Sequence, residues 1–461
     1  MSKIFNNLGK YKEKIGLIDI DSKEYSYKEI VERVKKINKK INKNSLVLLI
    51  ASNIFESIVG YIAFAQNKNI TILLDENFNK EFIEKIIESY KPSFVYKPKK
   101  IVLKNINKKK IYNGNKYELI KTNFIIKKKY NKKNFLLLTT SGSTQNPKLV
   151  RLSEDNILNN VIKIKKYLNI KSNNITITNM PMAYSYGLSI INSFLYSGAK
   201  IVLNDKTVFD KDFWLRIRKY KVNSLSGVPE FFNFLKKLKL ENLNMHKIKY
   251  LTHAGGKLDN DTIKYFTKNA QKKDYKFYSM YGQTEASPRM SYLDCVKNFN
   301  KIGSIGKPLD GARFHIVNYK RKKIKKNFVN GEIVYVGKNV CLGYANTIND
   351  LYKGDINKGR LFTGDIGYKD NDGFYFLTAR KSRISKIFGI RFNLDDIENK
   401  LKKNNFDTKL ISTNNYLKIL IINNYNTDLI KDFIFKQYKI NKKFIYVDKV
   451  KKFTNTILFK K

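Results

Sequence analysis

The sequence predicts an α/β protein: layered α/β blocks first, a β-rich portion after about Ile302, and a short mixed α+β end. Three observations lead there. Short β-branched runs alternate with stretches whose apolar residues recur at helical spacing. Glycine-bounded, strand-like pieces such as Gly331–Val336 and Gly373–Leu377 mark the later part. The apolar fraction of 42 %, with 30 Phe and 30 Tyr in 461 residues, is ample for packed cores and excludes a disordered chain.

Taken in order, Leu46–Ile50, Ile70–Leu74 and Ser93–Tyr96 read as strands, with Phe55–Gln66 and Lys80–Tyr90 as the helices between them. The Lys/Asn-rich stretch Lys104 to Asn134 reads as irregular or short-stranded. Strand-like runs resume at Phe135–Thr139, Ile175–Thr178, Lys200–Leu203 and Ser224–Val228, with Asn156–Leu168 helical. After Arg380 the texture is mixed, and Leu394–Lys402 reads as a helix. No internal repeat of solenoid period is present.

Met1 to Lys14 is polar and lacks the apolar run of an export signal. The stretch Ser45 to Ala65 is broken by Asn53, Glu56 and Ser57, so it does not read as a transmembrane segment. Cys295 and Cys341 are too few for a disulfide scaffold, lack metal-ligand spacing, and fit a reducing compartment. The expected location is cytoplasmic. His246 and His315 have no partner motif and read as surface or packing residues.

Lys+Arg total 90 against 39 Asp+Glu, a formal charge of +51. Lysine is spread from Lys3 to Lys461, and arginine, the better reader of bases and phosphates, is scarce. The accompanying Asn, Ile, Tyr and Phe are favoured by A/T-rich codons. The charge therefore reads as a solvated basic surface with no specific nucleic-acid partner; an anionic partner is the alternative.

Three segments carry chemistry. Phe135-Leu136-Leu137-Leu138-Thr139 runs into Thr140-Ser141-Gly142-Ser143-Thr144-Gln145-Asn146-Pro147-Lys148. Such a hydroxyl-rich loop after a strand can wrap phosphate oxygens with O–H and N–H donors, and the lysine adds a compact cation. The order of glycine, lysine and hydroxyls is not that of a P-loop, and an ordinary polar turn is the plain alternative. Tyr281-Gly282-Gln283-Thr284-Glu285 sets an aromatic face, a hydroxyl and a carboxylate close together, or else starts a helix capped by Thr284. Thr363-Gly364-Asp365 offers an acceptor-only carboxylate for a pair of O–H donors, or a turn aspartate.

In this order and spacing the segments resemble the adenylate-forming (AMP-binding) superfamily of acyl-CoA synthetases, luciferases and amino-acid adenylation domains. The loop is similar to T-S-G-[ST]-T-G-x-P-K, with Gln145 in place of the last glycine. Tyr281 to Glu285 resembles Y-G-x-T-E, and Thr363 to Asp365 resembles T-G-D. Asp372-Gly373-Phe374-Tyr375-Phe376-Leu377-Thr378-Ala379-Arg380 resembles D-G-[FY]-x-x-[FIL]-x-G-R, and His253-Ala254-Gly255-Gly256 a G-G strand end. Gly303 to Pro308 and Gly331-Glu332-Ile333 match further family segments.

The resemblance implies a large N-terminal domain, residues 1–381, and a small, mobile α+β C-terminal domain, residues 382–461. It implies ATP with Mg²⁺: Thr140, Ser141, Gly142, Ser143, Thr144 and Lys148 on the phosphates, Tyr281 with Gly255 and Gly256 around adenine, Thr284 on the α-phosphate, Glu285 on the metal, Asp365 and Arg380 on the ribose. Thr284, Glu285 and Lys148 are then the catalytic set.

Pro181 to Leu188 falls at the family's acyl segment, so Tyr184, Gly187, His253 and Gly255 are the implied substrate-binding residues. No acid occurs between Met180 and Ser193 to meet an ammonium group, so a carboxylic acid without one is favoured. The implied reaction is ATP-dependent formation of an acyl-adenylate with release of pyrophosphate, then transfer to the thiol of coenzyme A or an acidic carrier protein. The alternatives are a catalytically impaired adenylation-fold protein that binds nucleotide or a partner, and an amino-acid adenylating ligase. At the end the pattern departs: Ser382 stands at the hinge position, Lys386 to Arg391 still match K-x-x-G-x-[RK], and Ile457 stands where the family carries a catalytic lysine.

Overall fold

The structure, a computed structural model, describes residues 2–103, 109–124, 129–140, 148–239, 248–387, 390–412, 416–438, 440–451 and 453. They divide into two compact units. The first comprises 1–314, 335–361 and 372–375; the second comprises 315–334, 362–371 and 376–461.

Two large sheets organise the first unit. In one, Leu46–Ala51 pairs in parallel with Ile70–Asp75 and with Phe94–Pro98, and Ile70–Asp75 pairs in parallel with Leu136–Thr139. Parallel central strands are covered on both faces, which is why Leu46 to Ala51 is apolar and buried throughout. The Lys/Asn-rich stretch contributes an antiparallel edge pair, Lys109–Asn113 and Tyr117–Lys121. The second sheet runs Ile175–Ile177, Ser224–Gly227, Tyr250–His253 and Lys276–Gly282 in parallel order, then turns antiparallel at Arg289–Asp294.

Helices Phe55–Gln66 and Ser185–Tyr196 are apolar nearly all round, with every residue but the last buried. Helices of this kind belong inside a structure, between layers. A single apolar cluster accordingly joins Leu49 and Leu136 of one sheet to Ile201 and Tyr250 of the other through these helices. The amphipathic helix Lys80–Tyr90 covers the outer face of the first sheet with Phe82, Ile83, Ile86 and Ile87.

The second unit holds most of a five-stranded sheet that includes Gly331–Val336, Arg360–Lys369 and Tyr375–Arg380. It also holds the C-terminal elements: the hairpin Ile384–Ile387/Ile390–Asn393, the helix Leu394–Lys403, and a three-stranded sheet of Thr408–Ser412, Leu417–Ile421 and Ile445–Lys449. Arg383 binds this piece together, with Nε on Asp395 Oδ1 at 2.7 Å, Nη1 on the Leu410 carbonyl at 2.6 Å, and Nη2 on Glu398. Among the described residues no helix is long and apolar enough to cross a membrane. The α/β layering, the β-rich portion and the mixed α+β end expected from the sequence are all present.

Candidate active site

The hydroxyl-rich loop connects two paired strands. Leu136–Thr139 lies antiparallel to Leu149–Leu152, with Thr139 opposite Leu149. Ser141, Gly142, Ser143 and Thr144 lie outside the described residues, as does Gln145. Thr140 and Lys148, at the loop's two ends, are described; Thr140 is half-buried and Lys148 exposed.

On the far side of Leu149–Leu152 runs the short strand Gly343–Ala345, with Tyr344 opposite Val150 and Ala345 opposite Leu149. This register brings Tyr344 next to Lys148, whose Nζ sits 3.9 Å from the centroid of the Tyr344 ring. The Tyr344 hydroxyl donates to Glu285 Oε1 at 2.8 Å. Burial, and next to it the Glu285 carboxylate, push the Tyr344 phenol well up, so it stays a donor. Main chain fixes the same junction: the Cys341 N–H donates to the Glu285 carbonyl at 2.8 Å.

Beneath the strand lies Arg151, fully buried. Its guanidinium donates to four carbonyls: Tyr344 at 3.2 Å, Lys353 at 2.8 Å, Leu342 at 3.3 Å and Gly354 at 3.0 Å. A planar fork of five donors suits this convergence of backbone carbonyls.

Glu285 belongs to a single 3₁₀ turn, Thr284–Ala286, that joins Lys276–Gly282 to Arg289–Asp294. Thr284 does not cap this turn. Its Oγ1 lies 3.1 Å from the Oγ of Ser185, the first residue of the Ser185–Tyr196 helix. Tyr184 precedes that helix, and its N–H donates to the Pro181 carbonyl at 3.0 Å. Gly187, one turn on, packs so closely on that carbonyl that a Cβ could not fit; a backbone need fixes this glycine. The Tyr184 phenol packs against Gly255, where φ is +89° and a Cβ would stand 2.7 Å from the hydroxyl oxygen. Gly256 is likewise hemmed in, with Pro229 Cγ 2.9 Å from a would-be Cβ.

Two of the expected site residues are buried against other rings. His253 is 3 % exposed and its ring packs edge-on to Phe232, 5.7 Å between centroids. Strand alternation sends it to the opposite face from Thr252, whose hydroxyl meets Tyr186 at 2.9 Å. Burial lowers its pKa to about 4, so the ring is neutral. It sits in an aromatic core beside Phe232. Tyr281 is 9 % exposed, its ring tilted against that of Phe314 at 6.3 Å between centroids.

In the second unit, the Thr363 hydroxyl donates to the Ile333 carbonyl at 2.7 Å and accepts the Asp365 N–H at 3.1 Å. Gly364 takes φ +71° within the Arg360–Lys369 strand. Asp365 is 2 % exposed, and its Oδ1 accepts from Arg380 Nε at 3.0 Å. The two residues read from the sequence as ribose ligands are thus neighbours. Of Ser382 and Lys386 to Arg391, no side chain is described, Gly389 lies outside the described residues altogether, and so do His246 and Ile457.

The model of the AMP-binding enzyme family matches residues 4–345, about three quarters of the chain. The chain belongs to the AMP-binding enzyme family. Among curated relatives of this family member, 2-succinylbenzoate–CoA ligase of Bacillus cereus strain AH820 is 29 % identical over 247 residues, 53 % of this chain and 49 % of the relative. The same-named enzyme of B. cereus strain ATCC 10987 is 30 % identical over 248 residues, 53 % of this chain and 50 % of the relative. In these matches the chain spans about half the length of the curated relatives. Among solved structures, O-succinylbenzoate coenzyme A synthetase of Bacillus subtilis in complex with AMP superposes with a TM-score of 0.78 at 18 % identity, over 99 % of this chain and 96 % of that one. ATP-bound MatB from Rhodopseudomonas palustris gives 0.77 at 16 % identity, over 99 % and 96 %. The fold of this AMP-binding family member is that of adenylate-forming enzymes.

Tyr344, Ser185 and Arg151 went unread in the sequence. The Gly343-Tyr344 pair carries no local signal of a carboxylate partner 59 residues away. Arg151 is one charge inside Leu149-Val150-Arg151-Leu152, and a basic residue in an apolar strand is the signal that could have marked it.

Proposed function

We propose that this protein activates a carboxylic acid with ATP, forming an acyl-adenylate and pyrophosphate, and passes the acyl group to a thiol, that of coenzyme A first. The observation that carries this reading is the junction at Tyr344. It gathers Lys148 from the end of the phosphate loop and Glu285 from the Y-G-x-T-E turn, while Thr284 of the same turn meets Ser185 at the head of the acyl segment. Membership of the AMP-binding family supports it, as do curated relatives named as CoA ligases and a B. subtilis neighbour solved with ATP and magnesium.

In this reading the acid's carboxylate lies between Tyr184 and Thr284 and attacks the α-phosphorus in line. Thr284 donates to the α-phosphate, Lys148 meets the departing pyrophosphate, and the work of the site is positioning and charge neutralisation. Glu285 suits a hard divalent cation. Among the described residues no group of three or more His, Cys, Asp or Glu could hold a metal, which fits Mg²⁺ carried on phosphates and steadied by one carboxylate. Such an ion supplies charge compensation on the phosphate oxygens. Asp365 and Arg380 hold the ribose, and Gly255 and Gly256 line the pocket.

The 382–461 segment is proposed as the mobile domain, turning at Ser382. The buried thiols of Cys295 and Cys341, both pushed up to about 12 by burial, suit a reducing cytoplasm. The strongly basic chain suits an acidic carrier protein as a second acceptor. Acid-dependent exchange of labelled pyrophosphate into ATP, over a panel that includes 2-succinylbenzoate, tests the proposal. Exchange that requires an acid supports it; ATP binding with no exchange for any acid overturns it in favour of a non-catalytic nucleotide-binding protein.

A further inference from the structure

The segment Pro181 to Leu188 is held from outside its own sheet. Asn53 follows the carboxyl end of the Leu46–Ala51 strand in the first sheet, whereas the segment follows the Ile175–Ile177 strand of the second. The Asn53 carboxamide bridges the two. Its Nδ2 donates to the Met180 carbonyl at 2.9 Å, and its Oδ1 accepts the Met182 N–H at 3.0 Å. A carboxamide carries donor and acceptor side by side, as a peptide group does, so it pairs with the two backbone groups that flank Pro181. The residues around Asn53 are themselves fixed. Asp19 Oδ1 accepts the Phe55 N–H at 3.0 Å. The Ser57 hydroxyl accepts the Ser52 N–H at 3.3 Å and donates to the Met182 sulfur at 3.2 Å.

This clamp decides where the Ser185–Tyr196 helix begins. Among the described residues no side chain caps that helix, although a polar cap is the ordinary way to place a helix start. The turn before it does so instead: the Pro181 carbonyl accepts the Tyr184 N–H at 3.0 Å, and Gly187 packs against the same carbonyl. Pro181 lies between the two groups that Asn53 holds, so the carboxamide orients that carbonyl. Tyr184 then stands against Gly255, and Ser185 Oγ lies 3.1 Å from Thr284 Oγ1. We propose that Asn53 is a positioning residue for acid activation, acting through the Met180–Met182 turn to set Tyr184 and Ser185 in register with Thr284. The role rests on the acid-activation reading for what Tyr184 and Thr284 hold, and adds to it a side chain that touches neither acid nor nucleotide. A misplacement of about 1 Å, caused away from the chemistry, can cost about 10²-fold in rate.

The test compares the full chain as wild type, Asn53→Ala, Asn53→Asp and Asn69→Ala, with thermal melts of each. Asn53→Asp keeps an acceptor for the Met182 N–H and loses the donor to the Met180 carbonyl. Asn69 is the control: 1 % exposed, it donates to the Asn42 carbonyl at 2.7 Å just before the Ile70–Asp75 strand, at the opposite end of the same sheet. Pyrophosphate exchange with 2-succinylbenzoate, benzoate and hexanoate is expected to show the KM for the acid raised about tenfold in both Asn53 variants. The KM for ATP should stay within about twofold of wild type, and Asn69→Ala should change neither. Without any ligand, amide hydrogen exchange across residues 180–188 is expected to be about tenfold faster in both Asn53 variants and unchanged in Asn69→Ala. If Asn53→Ala fails to fold, Asn53→Asp carries the same test. KM values for acid and ATP that rise together, or 180–188 amides that exchange as in wild type, overturn the positioning role. Wild type without exchange for any acid, with those amides loosened in the Asn53 variants, overturns acid activation and leaves the clamp.

Discussion

Replacing Tyr344 with Phe removes one oxygen and leaves the ring in place. The lost contact is the 2.8 Å hydrogen bond to Glu285 Oε1; the cation–π contact with Lys148 at 3.9 Å survives. A hydrogen bond to a charged group contributes about 1.5–3 kcal/mol when buried. Glu285 is only half-buried, so about 1–1.5 kcal/mol is the appropriate share, which corresponds to roughly a tenfold change in an equilibrium constant. Partners that orient a metal-bound carboxylate commonly matter by about 10–100-fold, so the two lines of reasoning meet near tenfold.

Tyr344→Phe is therefore expected to raise the Mg²⁺ concentration for half-maximal ATP binding about tenfold, with little change in unfolding midpoint because Arg151 still anchors the strand. Tyr344→Leu, which also loses the ring, should weaken ATP further by about 0.5–1 kcal/mol through Lys148. Fluorescence titration of a nucleotide analogue across Mg²⁺ concentrations reads both. An unchanged or tighter Mg²⁺ dependence in Tyr344→Phe would refute the view that this hydroxyl orients Glu285.

Arg151→Met takes a side-chain donor from four carbonyls, and urea unfolding should show a loss of about 3 kcal/mol. Gly255→Ala forces a side chain into φ +89° and against Tyr184; it should cost about 1–3 kcal/mol and raise the KM for the acid more than that for ATP, with partial recovery in the Gly255→Ala/Tyr184→Phe double variant. His253 gives a pH dependence. Burial holds its folded pKa at about 4 against an ordinary 6.5, so the unfolded chain binds the additional proton between those values. Stability is full above pH 6.5 and falls as the pH drops toward 4, by about 3 kcal/mol in all. Urea unfolding of wild type against His253→Phe at pH 7.5 and 4.5 isolates this contribution, and an identical pH dependence in the two proteins would contradict it.

Much of the fold was legible because local signals and burial agree. Phe55–Gln66 and Lys80–Tyr90 have the ends that periodicity gives them, and Asn79 caps the latter by accepting the Phe82 N–H at 2.7 Å. The helix read as starting at Asn156 begins at Glu154, because Ser153 and Asn156 form a reciprocal cap. The Tyr27–Asn38 helix carries the same kinds of signal, a Ser26–Glu29 capping box and a buried stripe of Tyr27, Ile30, Val34 and Ile37. At the site, motif residues announce themselves through short patterns, whereas the parts that connect them do not. The Tyr344–Glu285 bond and the four carbonyls on Arg151 follow from strand pairing between distant segments, and the Ser185–Thr284 contact from a helix start meeting a turn. His253 shows the converse: a residue beside a motif is directed by strand alternation, which here sends its ring into the core.

The central proposal is that Thr284, Glu285 and Lys148 serve one nucleotide. A crystal structure of the full chain with ATP and Mg²⁺ tests it most directly. The account predicts an α-phosphate oxygen within hydrogen-bond distance of Thr284 Oγ1, the metal on Glu285, and both ribose hydroxyls on Asp365. A nucleotide whose ribose is held by other side chains, or whose phosphates lie away from Thr284 and Glu285, would contradict it.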